Sequence, residues 1–180
     1  HGNRVHLLMY PKKGGVLEGD SFITDRPGIA CFVRTADCVP ILISDPKTGA
    51  VAAIHAGWRG TAQNVVGETI RSMKKVFNTN SSDCTVAIGP SICGQCYEVG
   101  MEVIESLNNL SIKENWRTSE KKIDLKIINK TLAERSGVMR DNIDISSECT
   151  FCNEQFASYR RDKSENQRQY NFILSHPRQF

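Results

Sequence analysis

Hydrophobic and polar positions along the chain alternate in two periods. Phe22-Ile23-Thr24-Asp25 and Ile29-Ala30-Cys31-Phe32-Val33-Arg34 read as strands, parted by the turn Arg26-Pro27-Gly28. Val39 to Asp45 and Ala50 to Ile54 are two further apolar runs on either side of Pro46-Lys47-Thr48-Gly49, which predicts a hairpin. The period then changes. Val65, Val66, Ile70, Met73 and Val76 recur at helical spacing between Asn64 and Phe77, with Thr61 as the expected N-cap. Val86-Ala87-Ile88 is a short buried strand that ends at Gly89-Pro90. Helices are expected over Val99 to Leu110 and Leu125 to Arg135, the second stopped by Gly137. Trp116 to Lys122 is polar and reads as a loop. Ile143 to Ser146 and Gln169 to Ser175 read as the last strands. Strands and helices intermix, so the pattern predicts an α+β (mixed α/β) domain.

The chain has 180 residues, enough for one domain with a real core and too few for two. A formal charge of +3 is mild and its basic residues are scattered, without an aromatic-interleaved stripe. Nucleic acid is therefore not an expected partner. Arg160-Arg161 and Arg168 suit a small anion better. No apolar run approaches the ~20 residues of a membrane span. Seven cysteines (31, 38, 84, 93, 96, 149 and 152) make an odd count in apolar settings. That argues against a secreted disulfide framework and for a cytoplasmic protein with free thiols.

The chemistry concentrates at the expected hairpin. Cys38 closes Thr35-Ala36-Asp37-Cys38 just before its first strand, and His55 opens His55-Ala56-Gly57-Trp58-Arg59-Gly60 just after its second. The hairpin brings the two to one sheet end. Singly, a strand cysteine is an ordinary small hydrophobe and a lone histidine is a satisfied core residue. Jointly they stand out, because the chain has only four histidines. With His1 they make three ligands, the number typical of a catalytic zinc that keeps a position for water. Gly57 and Gly60 free the backbone for close approach to a ligand. The helix expected next, together with Arg59, suits phosphate. Asp37 and Glu98 are candidate acid/base groups, and Arg160 is a second anion contact. Cys93-Gly94-Gln95-Cys96 and Cys149-Thr150-Phe151-Cys152 form two C-x-x-C pairs. They lie much farther apart than the ~15–20 residues of a zinc ribbon, so they are not expected to form a second metal site.

These pieces carry a resemblance. His1-Gly2-Asn3-Arg4-Val5, Asp20-Ser21-Phe22-Ile23-Thr24-Asp25, Thr35-Ala36-Asp37-Cys38 and His55-Ala56-Gly57-Trp58-Arg59-Gly60 run in order along the chain. Ile88-Gly89-Pro90-Ser91-Ile92, Cys96-Tyr97-Glu98-Val99, Cys149-Thr150-Phe151-Cys152 and Phe156-Ala157-Ser158-Tyr159-Arg160-Arg161-Asp162 follow. The chain resembles the YfiH-like family, also described as multi-copper polyphenol oxidoreductase (laccase) or LACC-type purine nucleoside phosphorylase. The resemblance implies a four-layer α/β/β/α fold with mixed sheets and a single catalytic domain over residues 1–180 that lacks an N-terminal segment. It implies a metal site at His1, Cys38 and His55. It further implies zinc-dependent phosphorolysis of adenosine, inosine, guanosine and methylthioadenosine, with deamination of adenosine. Two departures stand against the pattern: the chain starts at the histidine, and Gln167-Arg168 replaces a Gly-Arg pair.

Three rival readings share these residues. In a metal-free Cys–His hydrolase or deamidase, Cys38 attacks, His55 is the base and Asp20 orients it. Copper-dependent phenol oxidation needs more histidines than four. A non-enzymatic binding module would turn over no nucleoside.

Overall fold

The computed structural model describes residues 2–10, 18–164 and 166–176. Its larger sheet has six strands: β1 (Val5–Leu7), β2 (Ser21–Thr24), β4 (Val39–Asp45), β5 (Ala50–Ala56), β6 (Thr85–Ile88) and β7 (Ile143–Ile145), in the order β1-β2-β5-β4-β6-β7. The outer pairs β1–β2 and β6–β7 are parallel and the inner pairs antiparallel, so the sheet is mixed. β3 (Ala30–Thr35) and β8 (Gln169–Leu174) form a separate antiparallel ribbon. β2 and β3 are the two expected strands, but they lie in different sheets. The turn at Arg26–Gly28 carries the chain from one sheet to the other, with Gly28 at φ 82°.

Five helices complete the fold: α1 (Trp58–Ala62), α2 (Val65–Phe77), α3 (Met101–Asn108), α4 (Leu125–Arg135) and α5 (Tyr159–Asp162). α2 buries Val65, Val66, Ile70 and Met73, α3 buries Val103, Ile104 and Leu107, and α4 buries Leu125, Ile128 and Leu132. They share one core with Ile41, Ile43, Ile54 and Ile88 of the sheet. The sheet's other face packs Phe22, Val51 and Ala53 on Cys31 and Val33 of the ribbon. Period-two alternation explains this, since Ala52 and Ile54 face the helices while Val51 and Ala53 face the ribbon. The described residues thus show one helical layer and two sheet layers, α/β/β, of the four layers expected. The ribbon's outer residues Phe32, Tyr170, Phe172 and Leu174 are exposed.

One local expectation is corrected. Thr61 is not an N-cap: a short helix already begins at Trp58, capped by Gly57, and Thr61 is buried inside it. The long helix starts later, where Asn64 adopts a left-handed conformation and its side chain accepts from the Gly67 N–H. Tyr159–Asp162 is a helical turn, and the Ser158 side chain accepts from the Arg161 N–H and caps it.

Ile54 is wholly buried in the middle of β5. Ile54→Val is expected to cost about 1 kcal/mol, the transfer and cavity terms of one methylene. Urea unfolding, read as a shift in midpoint at constant slope, measures it.

Candidate active site

Topology puts the chemistry at one end of the large sheet. In the register, Pro40 of β4 lies opposite His55 of β5, and Ser21 of β2 opposite Ile54. Asp20, one step before β2, therefore comes level with His55, and the His55 N–H donates to the Asp20 carbonyl at 2.7 Å. β6 and β7 both end at this edge, because β6 runs antiparallel to β4 and parallel to β7. The segments after them, 89–99 and 146–162, accordingly emerge beside Cys38.

The expected meeting of Cys38 and His55 is observed, and the thiol lies close enough to act on the ring. Gly57 makes room for it: a Cβ there would lie 3.2 Å from Cys38 Sγ and 3.9 Å from His55 Cε1. The other ring nitrogen, Nδ1, is 2.9 Å from Asp20 Oδ1. This carboxylate fixes the ring and leaves Nε2 toward the thiol. Burial alone would favour the neutral ring, but the hydrogen bonds and charges of Asp20 and Cys38 outweigh it and raise His55 to about 9. Asp20 is likewise partly buried, yet its bonds to His55 and to the Gly2 N–H hold it below the usual carboxylate range. The cluster thus holds a proton on the His55 ring beside the Asp20 carboxylate. A soft divalent cation, whose ligands must be deprotonated thiolate and neutral imidazole, would replace that proton. The donor set fits zinc. His1 lies outside the described residues. Its neighbour Gly2 is described, and its N–H donates to Asp20.

Asp37 is held differently from the expected acid/base group. It has φ 85°, a conformation rare for a side-chain-bearing residue. Its Oδ1 accepts from the Thr150 hydroxyl and its Oδ2 from the Arg160 N–H, both at 2.7 Å. It is 8% exposed. Both oxygens are used, which suits a residue that positions Cys38 and Arg160 rather than one that moves protons. Thr150 was not singled out from the sequence. Its only signal was its place inside a C-x-x-C pair.

Beside this cluster opens a cleft of about 500 Å³, lined by Trp58, Tyr97, Glu98, Glu102, Lys121 and Arg160. The polar stretch after Trp116 forms one wall, since the Val99 N–H donates to the Lys121 carbonyl and the Ile123 N–H to the Tyr97 carbonyl. The Arg160 guanidinium sits 5.4 Å from the Tyr97 ring centre and donates to the Glu98 carbonyl at 2.9 Å. Arg59 is exposed and lies 4.2 Å over Trp58. Burial first, and then the Cys38 and Asp37 charges, push the Tyr97 phenol up to about 12 against the opposing pull of Arg160 and Arg59. The two arginines thus lean on neighbouring rings at the cleft wall, Arg160 on Tyr97 and Arg59 on Trp58. Arg161 does not join them. It donates to the carbonyls of Thr150, Phe151 and Phe156 and pairs with Asp162. Arg168 donates to the Ser164 and Gln167 carbonyls. Gly60 lies inside α1, where a Cβ would come within 2.9 Å of the Gly2 carbonyl. Its bare face serves that close packing. α1, with five residues, is too short to present a helix-end anion site of the kind expected after Gly60.

The two C-x-x-C pairs, not expected to form a metal site, converge. Ser91 and Cys149 form a parallel bridge, and the four sulfurs lie within 4.8 Å of one another. Burial would raise the Cys149 thiol, but N–H groups and thiols of Cys93 and Cys152 donate to it and bring it down to about 7.

Fold and site together define a mixed α/β protein with a Cys–His–Asp cluster at one sheet end, walled by an arginine-bearing cleft. The chain belongs to the multi-copper polyphenol oxidoreductase laccase family, whose model matches residues 1–176. It is 35% identical over 173 residues to a purine nucleoside phosphorylase of Clostridium acetobutylicum, covering 93% of this chain and 72% of that protein. It is 37% identical over 167 residues to the adenosine deaminase RL5 of an unknown prokaryotic organism, covering 88% and 63%. The crystal structure of YlmD from Geobacillus stearothermophilus superposes with a TM-score of 0.90 at 34% identity, covering 98% of this chain and 71% of that one. Among the described residues no helix is long and apolar enough to cross a membrane.

Proposed function

We propose that this chain is a zinc-dependent purine nucleoside phosphorylase that also deaminates adenosine. Its substrates would be adenosine, inosine, guanosine and methylthioadenosine together with inorganic phosphate. The observation that carries this reading is the juxtaposition of Cys38 and His55, oriented by Asp20, with a cleft to which Arg59 and Arg160 bring positive charge. The names of the relatives point to the same substrate class.

His1, Cys38 and His55 would hold the zinc, which when bound supplies a Lewis acid for a purine heteroatom or for water. The chain's own residues do the rest. Asp20 keeps Nδ1 of His55 engaged so that Nε2 is the ligand. Gly57 lets the backbone pass close to the thiolate. Arg59 and Arg160 hold the phosphate dianion. Glu98, on the cleft wall, is the proton carrier that deamination requires. Asp37 positions Arg160 and Cys38.

The test is base release from inosine by the zinc-analysed protein, with and without phosphate. Hypoxanthine that forms only with phosphate, alongside ribose 1-phosphate, is the expected result. Release independent of phosphate, or none from zinc-replete protein, would overturn the proposal. Arg59→Ala refines the test. The fork of its guanidinium serves only the anion, so the KM for phosphate is expected to rise about tenfold, the loss of one charge-assisted hydrogen bond, while the KM for inosine stays within twofold. Equal losses in both would make Arg59 a support of the Trp58 turn instead.

A further inference from the structure

Cys93, Cys96, Cys149 and Cys152 lie outside the set of side chains assigned above. Their sulfurs all fall within 4.8 Å of one another, and Cys96 and Cys152 Sγ are 3.3 Å apart. Four thiolates at about 2.3 Å from a tetrahedral zinc ion stand about 3.8 Å from each other. Small side-chain rotations close the observed cluster onto that geometry. The backbone is already arranged for it. The Cys93 carbonyl accepts from the N–H groups of Cys96 and Tyr97, both at 3.0 Å, and the Cys149 carbonyl accepts from Asn153 at 2.9 Å. Each pair is thus a tight turn that presents its two sulfurs on one side. The Cys93 N–H donates to Cys149 Sγ at 3.3 Å, a backbone bond that stabilises charge on a ligating sulfur.

Both turns are also fixed from outside. The Thr150 N–H donates to the Ser91 carbonyl at 3.2 Å. Arg161 holds the carbonyls of Thr150 and Phe151. The Thr118 hydroxyl donates to the Gly94 carbonyl, and a Cβ on Gly94 would come within 2.7 Å of Thr118 Cγ2 and 2.9 Å of Asp124 Cβ. A disulfide would use two sulfurs and leave the other pair idle, whereas all four converge here. Cys152 is exposed, which gives an ion a way in.

We propose that these four cysteines bind a structural zinc ion, a second metal centre separate from the Cys38–His55 cluster. Binding releases the thiol protons to solvent and leaves a closed tetrathiolate site without an open coordination position. The ion joins two segments distant in sequence. One bears Tyr97 and Glu98 of the cleft wall, and the other bears Thr150, which holds Asp37. The clip therefore sets the width of the cleft.

Elemental analysis of the whole protein, beside the double variant Cys93→Ser/Cys152→Ser and the single variant Cys38→Ser, separates the two centres. The double variant is expected to lose one equivalent of zinc relative to the parent, and Cys38→Ser to retain that equivalent. Because the double variant can fail to fold, the parent is also alkylated before and after chelation and read by peptide mass. The four thiols are expected to react about a hundredfold more slowly in the zinc-loaded protein than after chelation. Cobalt-loaded parent is expected to show the intense visible bands of a tetrahedral thiolate site. Unchanged zinc in a folded double variant would overturn the proposal. So would equal alkylation rates before and after chelation, or peptide masses showing a Cys96–Cys152 disulfide in the native protein.

Discussion

Cys38→Ala is expected to remove the zinc held at the sheet end and to lower nucleoside phosphorolysis by about three orders of magnitude or more. Without the thiolate, two imidazoles remain as the proposed ligands, and a two-ligand site does not retain zinc. Loss of the Lewis acid then removes stabilisation that no neighbouring group replaces. The structure also limits collateral damage. Cys38 sits beside bare Gly57 rather than deep in the helix-facing core, so its replacement opens a small gap and not a core cavity. The fold is expected to survive, with a thermal midpoint close to that of the parent. Asp20→Asn supplies the graded comparison. An amide still meets Nδ1 but weakens the hold on the ring, and such outer partners typically contribute tenfold to a hundredfold in metal affinity or activity. Zinc content and phosphorolysis rate, measured on both variants, should therefore fall in the order Cys38→Ala, then Asp20→Asn. The metal-free hydrolase reading expects something else: Cys38→Ala inactive, but the parent fully active after chelation. Full activity in chelated parent would sink the zinc assignment.

What made Cys38 and His55 legible was a local device. Pro46 to Gly49 is a short turn with Gly49 at φ 74°. A short turn pins the register of a hairpin, and the register puts the residue before β4 next to the last residues of β5. Nothing else about the site was so local. Asp20 reaches His55 through β2–β5 pairing across a long stretch of chain. Sequence reading placed it only in the rival hydrolase, as a residue that would orient the base. The convergence of the C-x-x-C pairs depends on β6 and β7 lying side by side and parallel. Strand neighbours of that kind leave no mark on either segment. Spacing rules for zinc ribbons assume that both knuckles belong to one small unit, and here they are brought together by the sheet. The helix start was misplaced for a different reason. Thr61 looks like a cap, but Gly57 and Asn64 provide the backbone conformations that end one segment and begin the next. Glycine and left-handed asparagine do not differ, in sequence, from residues in any loop.

Asp37 offers the sharpest contrast between chemistry read from residue type and chemistry read from partners. A carboxylate next to the candidate metal cysteine invites an acid/base role. In the fold its two oxygens take hydrogen bonds from Thr150, which is wholly buried, and from the backbone of Arg160. Asp37→Ala leaves both donors unpaired, and a buried unpaired donor costs about 1–3 kcal/mol. The expected loss of stability is about 3 kcal/mol, readable in urea unfolding, with no relief from the backbone because alanine suits φ 85° no better than aspartate. Asp37→Asn discriminates further. Its amide oxygen still accepts from Thr150, but its NH₂ group then faces the Arg160 N–H, donor against donor. Arg160 should shift, and with it the guanidinium that leans on Tyr97 at the cleft wall. Activity in Asp37→Asn is expected to fall about tenfold, mainly through the KM for phosphate, as one misplaced charge-assisted contact would cause. The pH–rate profile should keep its shape, since no titrating catalytic group has been removed. A profile that loses one limb in Asp37→Asn, with KM for phosphate unchanged, would instead make Asp37 a proton carrier.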